Sequence, residues 1–341
     1  MAESGEAQAI AVIGAGSWGT ALAIQFARSG RTTLLWGRAE DDPAAIEAAR
    51  ENTRYLPGAK FPPSLHALAD LEEVLEQAPV IVVAVPSHAF RAVLKRMKPL
   101  LKPSTRLAWA TKGFELETGK LPHQVAREVL GSDTAMAVLS GPTFAREVGM
   151  GLPTAMTIAS NDADYALQLA GNLSGESFRA YTSTDIVGVE VGGAVKNVLA
   201  IGAGICDGLG FGANTRVAMI TRGLVEMTRL GEALGAEPAT FMGLAGMGDL
   251  VLTCTDDQSR NRRMGLALAA GKTIKEAEQE IQQVVEGVLA ARAVHGVAAE
   301  AGVEMPICEQ IYRILYEGAE PQAAVVALMK RELKSEFAPG G

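Results

Sequence analysis

Short apolar runs alternate with longer amphipathic stretches over the first half of the chain. The run Val80–Val85 is apolar at every position, as expected for a strand that helices cover on both faces of a sheet. Strands alternating with helices predict a doubly wound parallel sheet. The expected strands are Ala9–Ile13, Thr32–Trp36, Val80–Val85, Arg106–Ala110, Ala135–Leu139 and Ala155–Ile158, and the expected helices include Gly19–Ser29 and Ala163–Asn172.

The pattern changes after about residue 185. Strand-like runs become scarce, and long segments rich in Ala, Leu, Glu and Arg follow, separated by Gly and Pro. The expected helices are Ala213–Leu234, Arg263–Ala270, Gly287–Ala301 and Pro306–Tyr316. We therefore expect an α/β domain over residues 1–187, an all-α domain over 188–335 and a frayed tail over 336–341.

Composition narrows the classes of protein to which the chain can belong. The net charge of −8 over 341 residues disfavours nucleic acids and anionic membrane surfaces as partners, so an anionic metabolite needs a locally basic site. Three cysteines far apart fit a reducing compartment, and the acidic start lacks the features of a signal peptide. We expect a cytoplasmic protein without membrane insertion.

Several kinds of chemistry lack support in the sequence. The four histidines, His66, His88, His123 and His295, do not have the spacing of metal ligands, so we expect no metal site. Neither a Gly-x-Ser-x-Gly elbow nor a Walker loop is present, which leaves acyl transfer and P-loop chemistry without their usual motifs.

A glycine motif follows the first expected strand and opens the first expected helix. It reads Gly14-Ala-Gly16-Ser17-Trp18-Gly19, the spacing of a dinucleotide-binding loop. Gly14 would permit the tight turn, Gly16 the approach of a pyrophosphate, and Gly19 close packing of the helix on the strand. The N-terminus of the helix, including the amides of Ser17 and Trp18, would face the phosphates. A structural glycine-rich turn without a ligand is the alternative.

The end of the second expected strand bears on the choice between NAD and NADP. No acid stands at its tip, and Arg38 is placed to pair with a 2′-phosphate. Glu40, Asp41 and Asp42 lie just beyond and are placed to serve NAD instead. A solvated arginine is a further alternative, so the cofactor stays open as NADP or NAD.

Lys196 is the one charged residue in the fifteen-residue run Val191–Ile205. A helix that is apolar all round should be buried, and a buried amine can be tuned to accept and return a proton. The alternatives are a lysine that reaches the surface and one that pairs with a buried carboxylate. The run alone does not decide between them.

Further polar segments stand where an anionic substrate would need them. Asp249 follows a glycine pair and is placed to orient a substrate, pair with Lys196 or cap a helix. Ser259–Arg263 concentrates three arginines, whose planar donors suit a phosphate, although a solvated basic turn is the alternative. The segments 110–113 and 140–145 follow strands, at the edge of the sheet where ligands bind.

In combination and in this order, these motifs resemble the NAD(P)-dependent glycerol-3-phosphate dehydrogenase family. The matching motifs are G-A-G-S-W-G-T-A-L-A at 14–23, A-T-K-G at 110–113, S-G-P-T-F-A at 140–145, G-G-A-V-K-N at 192–197, G-D-L-V-L-T-C at 248–254, S-R-N-R-R at 259–263 and V-V-E-G at 284–287. The resemblance implies a Rossmann domain followed by an all-helical domain. It also implies interconversion of glycerol 3-phosphate and dihydroxyacetone phosphate with NAD(P), in the service of phospholipid synthesis, and a homodimer.

The resemblance also implies roles for individual residues. Lys196 is implied as the general acid/base. The implied substrate contacts are Lys112, Gly141, Thr143, Lys196, Asp249, Ser259, Arg260 and Asn261. The implied cofactor contacts are Gly14, Gly16, Ser17, Trp18, Gly19, Arg38, Lys112, Ala145, Arg260, Val284 and Glu286.

Three other functions remain as alternatives. One is a dehydrogenase of similar layout acting on a 3-hydroxyacid or a sugar acid. Another is a nucleotide-binding sensor without catalysis, which would not need Lys196, Asp249 and Ser259–Asn261. The third is a structural protein with a Rossmann fold and no ligand, which the same residues disfavour.

Overall fold

The structure is a computed structural model, and it describes residues 9–131 and 134–332. The tail expected at 336–341 lies outside these residues. The strands are β1 Ile10–Ile13, β2 Thr33–Trp36, β3 Leu65–Leu68, β4 Val80–Val83, β5 Arg106–Trp109, β6 Met136–Ser140, β7 Thr154–Ser160 and β8 Phe178–Ser183. The helices of the first half are α1 Ser17–Arg28, α2 Pro43–Ala49, α3 Leu71–Gln77, α4 Ser87–Met97, α5 Pro122–Leu130, α6 Ala145–Met150 and α7 Ala163–Leu173. Those of the second half are α8 Ile186–Gly208, α9 Gly212–Ala233, α10 Pro238–Phe241, α11 Asp249–Thr255, α12 Arg260–Ala269, α13 Ile274–Ile281, α14 Glu286–Ala301, α15 Pro306–Tyr316 and α16 Pro321–Met329.

The chain divides into two units. The first contains the chain up to residue 112 and residues 122–186, and the second contains residues 113–121 and the chain from 187 onwards. Our predicted division placed residues 113–121 with the α/β domain. In the structure, the apolar side chains of Phe114 and Leu121 are buried in the core of the helical unit, and they tie residues 113–121 to that unit.

The sheet of the first unit has the strand order β3-β2-β1-β4-β5-β6-β7-β8. Strands β1 to β6 are parallel, and the direction of the strand order reverses between β1 and β4, beside the glycine loop. Ligands of open α/β sheets bind at such a reversal, outside the carboxyl ends of the strands. The α/β class expected from the sequence is confirmed.

The sheet is mostly parallel, as expected, and its last two strands depart from that pattern. Strand β7 runs antiparallel to β6, and β8 runs parallel to β7, so the last two strands oppose the other six. The connection from β6 to β7 contains only the six-residue helix α6, about 9 Å long, which does not carry the chain back along the sheet. Strand β7 therefore starts at the same end of the sheet at which β6 stops, and runs in the opposite direction.

The strands at both edges of the sheet, β3 and β8, were not among the expected strands. Strand β3 alternates buried and exposed residues over only four positions, and β8 exposes most of its length. Edge strands are covered on fewer sides and therefore keep polar residues, which hides them from a search for apolar runs.

The second unit is built from helices around a core to which α8 contributes most of its length. Helix α8 is long and apolar enough to span a membrane, but 94% of its most apolar window is buried inside the protein. This burial is that of a core helix, whose apolar residues face other helices on all sides.

Candidate active site

The glycine loop after β1 has the geometry that a dinucleotide needs. Gly14 has φ +121°, and a Cβ there would lie 2.6 Å from the carbonyl oxygen of Ala84. A Cβ on Gly19 would lie 1.9 Å from the carbonyl oxygen of Gly14, whereas a Cβ on Gly16 would meet nothing within 4 Å. Gly14 and Gly19 are thus required by packing, and Gly16 leaves open space in front of the loop.

Helix α1 begins at this loop without a side-chain cap among the described residues. The first N–H groups of such a helix, together with its dipole, favour an anion. Ser17 does not serve as the cap, because its hydroxyl donates to the carbonyl oxygen of Tyr55 at 2.7 Å. Trp18 lies in the first turn with a buried indole N–H that has no partner in the described part of the chain.

At the end of β2, Arg38 is held in place rather than freely solvated. Its Nε and one terminal nitrogen approach the two carboxylate oxygens of Asp41 at 3.3 and 3.4 Å, although 64% of its side chain is exposed. The hydrogen bond and ion pair with Asp41 raise the pKa of Arg38. Asp42 accepts from the amide of Ala45 as the cap of α2. Glu40 is exposed and approaches Nε of Arg38 only at 3.9 Å.

Two segments follow β5 and β6, the next two strands beyond β4 in the sheet. Lys112 lies three residues beyond β5 and is partly buried. A Cβ on Gly141 would lie 2.9 Å from the Cα of Met156, and Thr143 donates from its hydroxyl to the carbonyl oxygen of Gly141 at 3.2 Å. The hydroxyl of Ser140, just before Gly141, is buried and has no hydrogen-bond partner within residues 9–131 and 134–332. A buried orphan hydroxyl is costly, which is consistent with a ligand at this edge.

The helical unit buries Lys196 against Asp249. The Nζ atom of Lys196 lies 2.6 Å from Oδ1 of Asp249, and the two side chains are 9% and 2% exposed. Nζ also donates to the hydroxyl of Thr253 at 3.1 Å, and that hydroxyl donates to the carbonyl oxygen of Asp249 at 2.6 Å. The ammonium is therefore fixed in position by a carboxylate and a hydroxyl from one turn of α11.

Small residues of α8 explain why Lys196 is enclosed. A Cβ on Gly192 would lie 2.5 Å from the carbonyl oxygen of Ala245, in the π-helical turn that leads into Asp249. A Cβ on Gly204 would lie 2.0 Å from the carbonyl oxygen of Arg262 in α12. The glycines on either side of Lys196 thus allow two elements to pack directly on the backbone of α8.

The segment Ser259–Arg263 forms the start of α12 rather than a solvated turn. The hydroxyl of Ser259 caps the helix by accepting from the amide of Arg262 at 3.2 Å. The guanidinium of Arg262 is turned inward to Asp207 at 3.0 Å. Arg260, at the first position of the helix, has no hydrogen-bond or ion-pair partner among the residues that the structure describes, and the buried Nε of Arg263 has no hydrogen-bond partner there either. Both arginines are therefore available to an anion.

Asn261 links three helices. Its amide nitrogen donates to Oδ1 of Asn197 at 2.9 Å, and its amide oxygen accepts from the N–H of Gly287 at 2.9 Å. Gly287 is the second residue of α14 and follows Glu286. Val284 lies two residues before the helix and is 50% exposed. Asn261 thus holds the first turns of α12 and α14 beside the residue that follows Lys196.

Comparison with known proteins decides the family. The model described as the N-terminus of NAD-dependent glycerol-3-phosphate dehydrogenase matches residues 9–166, and the model of the C-terminus matches residues 185–326. The chain belongs to the NAD-dependent glycerol-3-phosphate dehydrogenase family.

Similar glycerol-3-phosphate dehydrogenases span both units. The enzyme of Aeromonas hydrophila, named for NAD(P)+, is 58% identical over 329 residues, which cover 96% of this chain and 98% of that protein. The crystal structure from Coxiella burnetii is 49% identical and has a TM-score of 0.92, covering 95% of this chain and 99% of that one. The structure from Saccharomyces cerevisiae is 26% identical with a TM-score of 0.82, covering 95% and 99%.

Within this glycerol-3-phosphate dehydrogenase fold, sequence reasoning missed Thr253, Asn197 and Asn52. Asn52 is fully buried, and its amide nitrogen donates to the carbonyl oxygen of Ala15 at 2.8 Å and to the hydroxyl of Thr20 at 2.9 Å. A buried polar side chain needs partners, so an isolated Asn or Thr beside an apolar run is the available signal. Such a signal does not name the partner.

A cysteine nucleophile is not part of this dehydrogenase site. Cys254 follows Thr253 and is fully buried. Burial raises the pKa of its thiol well above the usual range, despite the opposing effects of Lys196 and Arg262. A thiol that stays protonated is a poor nucleophile.

Proposed function

We propose that this enzyme interconverts sn-glycerol 3-phosphate and dihydroxyacetone phosphate by hydride transfer with NAD(P), and that Lys196 is its general acid/base. The observation that carries the proposal is the buried contact of Lys196 with Asp249 at 2.6 Å. An ammonium in an ion pair is the protonated form, which is the form that reduction of a ketone requires.

The glycine loop is suited to hold the dinucleotide. The open space at Gly16 leaves room for a pyrophosphate, and the uncapped start of α1 supplies N–H groups for it. When bound, the nicotinamide cofactor supplies the hydride to C2 of dihydroxyacetone phosphate or takes it from glycerol 3-phosphate. The proposed cofactor contacts are Gly14, Gly16, Ser17, Trp18, Gly19, Arg38, Lys112, Ala145, Arg260, Val284 and Glu286.

Lys196 acts on the substrate oxygen. In ketone reduction, it donates a proton from Nζ to the oxygen on C2 as the hydride arrives at the carbon. In the reverse direction, neutral Lys196 takes the proton of the hydroxyl. Asp249 and Thr253 orient the amine, since both contact Nζ. A positioned acid/base group contributes roughly 10²–10⁴-fold to the rate.

The phosphate of the substrate is proposed to bind at the start of α12. Arg260 offers a guanidinium without a partner in the described chain, and the helix N-terminus adds its dipole. The further proposed substrate contacts are Lys112, Gly141, Thr143, Ser259 and Asn261. A substrate with one phosphate suits this site, because the basic group is local in a chain of net charge −8.

The decisive experiment follows the absorbance of NADH or NADPH with dihydroxyacetone phosphate. Wild type should oxidise the cofactor, and Lys196→Ala should lose at least 100-fold in kcat while its affinity for the cofactor stays within about two-fold. Lys275→Ala, which removes an exposed lysine of α13, is the matched control and should behave as wild type. Near-normal turnover of Lys196→Ala would remove Lys196 from the mechanism.

The setting of the enzyme belongs to the same proposal. The three cysteines are free and buried, which supports a reducing, cytoplasmic location. We propose a homodimer that supplies glycerol phosphate for phospholipid synthesis, as the resemblance to the family implies. Sedimentation equilibrium would test the dimer, and a single species of one-chain mass at micromolar concentration would exclude it.

A further inference from the structure

The carboxylate of Asp207 joins three helices of the helical unit. Asp207 is the last residue but one of α8, and its side chain is 11% exposed. Both of its oxygens accept from a terminal nitrogen of Arg216 in α9 at 2.8 Å, and Oδ2 also lies 3.0 Å from a terminal nitrogen of Arg262 in α12. One carboxylate therefore ties the end of α8 to the first turns of α9 and α12.

Arg262 depends on this carboxylate more than on any other described group. Its side chain is 11% exposed, and its Nε and second terminal nitrogen are buried without a hydrogen-bond partner in the part of the chain that the structure describes. Asp257 lies 3.4 Å from Nε, but its side chain is 74% exposed. A buried guanidinium is costly unless a carboxylate pairs with it, so Asp207 is what keeps Arg262 turned inward.

Helix α12 lies directly on the backbone of α8. A Cβ on Gly265 of α12 would lie 2.0 Å from a carbonyl oxygen of α8, and a Cβ on Gly208 of α8 would lie 2.5 Å from a side chain of α12. Large side chains that interlock would fix how two helices are rotated against each other, whereas a contact between glycines fixes mainly their distance. The ion pair of Asp207 with Arg262 supplies the missing restraint on rotation.

The residues proposed to bind the substrate phosphate precede Arg262 in the same helical turn. Arg260 and Asn261 occupy the first two positions of α12, and Arg262 occupies the third. Successive residues of an α-helix point about 100° apart, so Arg260 faces about 200° away from Arg262. With Arg262 directed to Asp207, Arg260 is directed to the opposite side of the helix.

We propose that Asp207 is a positioning residue for the substrate phosphate: it holds Arg262 inward and thereby fixes the rotation of α12 that presents Arg260 to the phosphate. The inference rests on the proposed function and deepens it, because it assigns part of the affinity for the phosphate to a carboxylate that does not bind it. Without Asp207, the buried charge of Arg262 loses its principal partner. Helix α12 then rotates to bring that charge towards water, and Arg260 moves away from the phosphate.

A split between KM and kcat distinguishes positioning from a general loss of structure. Asp207 lies eleven residues beyond Lys196 on α8, about 16 Å along the helix, so the acid/base group should keep its place. Asp207→Asn should raise KM for dihydroxyacetone phosphate about ten-fold or more and lower kcat less than three-fold, since binding is lost and the chemical step is not. A normal KM in Asp207→Asn, or a loss confined to kcat, would overturn the proposal.

The two arginines on Asp207 provide a matched pair of variants. Arg262→Gln should raise KM as Asp207→Asn does, and Arg262→Lys should restore part of the affinity, because the ammonium keeps the charge. Arg216→Gln is the control and should leave KM within two-fold, because α9 carries no proposed substrate contact. Equal rises in KM for Arg216→Gln and Arg262→Gln would overturn the proposal, and this comparison holds even where Asp207→Asn does not fold.

A double-mutant cycle tests whether Asp207 acts through Arg262. The combination of Asp207→Asn with Arg262→Gln should raise KM no further than the larger of the two single changes, because both remove the same link. If the two increases in KM multiply instead, Asp207 and Arg262 act independently and the proposal is wrong.

Hydrogen exchange reports on α12 without any turnover. The amides of Arg262 and Arg263 donate to the hydroxyl and the carbonyl oxygen of Ser259, so both are protected while the first turn is held. Mass spectrometry should show faster exchange of this turn in Asp207→Asn and unchanged exchange in Arg216→Gln. Unchanged exchange in Asp207→Asn would overturn the inference. A wild type that does not reduce dihydroxyacetone phosphate would instead refute the proposed function, and the exchange data would still report on Asp207.

Discussion

The contact between Lys196 and Asp249 has a structural and a chemical role, and a double-mutant cycle separates them. The variants are Lys196→Met, Asp249→Asn and the two combined. Each single change removes one charge from a pair whose side chains are 9% and 2% exposed. Breaking a buried pair in this way costs about 3–5 kcal/mol, because the remaining charge stays buried without its partner.

The combined variant should be more stable than either single one. Methionine keeps the length of the lysine stem without its charge, and asparagine keeps the shape of the carboxylate. With both charges gone, we expect the loss to fall to about 1 kcal/mol, since the desolvation penalty disappears together with the attraction. All three variants should lack dehydrogenase activity, because each lacks the oriented amine.

Urea unfolding of the helical unit measures these differences. Far-UV circular dichroism is the suitable signal, because Trp18, Trp36 and Trp109 all lie in the α/β unit and would report on the wrong part of the chain. With a denaturant slope of about 2 kcal/mol/M, a loss of about 4 kcal/mol lowers the midpoint by about 2 M. If the combined variant loses the sum of the two single losses, the charges are not coupled and the reasoning is refuted.

Two further predictions concern stability. Burial raises the pKa of Glu226 to about 7 from 4.5, so its ionisation destabilises the fold progressively as pH rises from about 4.5 to 7. The free energy of unfolding of wild type should fall by about 3 kcal/mol relative to that of Glu226→Gln between pH 4.5 and 8. Denaturant unfolding of both proteins across this pH range measures the difference, and the same pH dependence of stability in the two would contradict it. Gly204→Ala should lower the free energy of unfolding by more than about 2 kcal/mol, because its Cβ would lie 2.0 Å from the carbonyl oxygen of Arg262. In Gly296→Ala, the Cβ would meet nothing within 4 Å, so this change in α14 should stabilise the protein by about 0.5–1 kcal/mol. Thermal unfolding of both variants measures the two effects.

The sequence predicted best those elements whose burial is uniform. Strand β4 is buried at every position, and α15 begins and ends at the residues expected from its pattern. The edge strands were missed because half of their surface faces away from the core, and the reversal of β7 was missed because it depends on how far a short connection reaches. The hydrophobic pattern of a segment indicates whether that segment is a strand or a helix. The direction of a strand relative to its neighbour also depends on the connection between the two, which the pattern does not describe.

For the site, the sequence indicated which residues are unusual but not which of them meet. Lys196 stood out as a charge in an apolar helix, and three kinds of surroundings remained open. The structure assigns it a partner 53 residues away, together with Thr253, which lies in the motif at 248–254 but had no expected role. Likewise, Asn52 is an ordinary residue in the sequence, although it joins the glycine loop to Tyr55, whose hydroxyl donates to Asp41 in the turn after β2.

In the glycine loop, the glycines that folding requires can be distinguished from the glycine that ligand binding requires. Gly14→Ala and Gly19→Ala should destabilise the α/β unit, because a Cβ at either position would lie within 2.6 Å of a carbonyl oxygen. Gly16→Ala should leave stability within about 0.5 kcal/mol, since its Cβ would point into open space and its backbone needs no left-handed conformation. If that space belongs to the pyrophosphate, the same methyl group should raise KM at least ten-fold for NADH and NADPH alike. Thermal unfolding without cofactor and KM for each cofactor measure the two effects. A Gly16→Ala enzyme with normal KM values would show that the dinucleotide does not approach this loop.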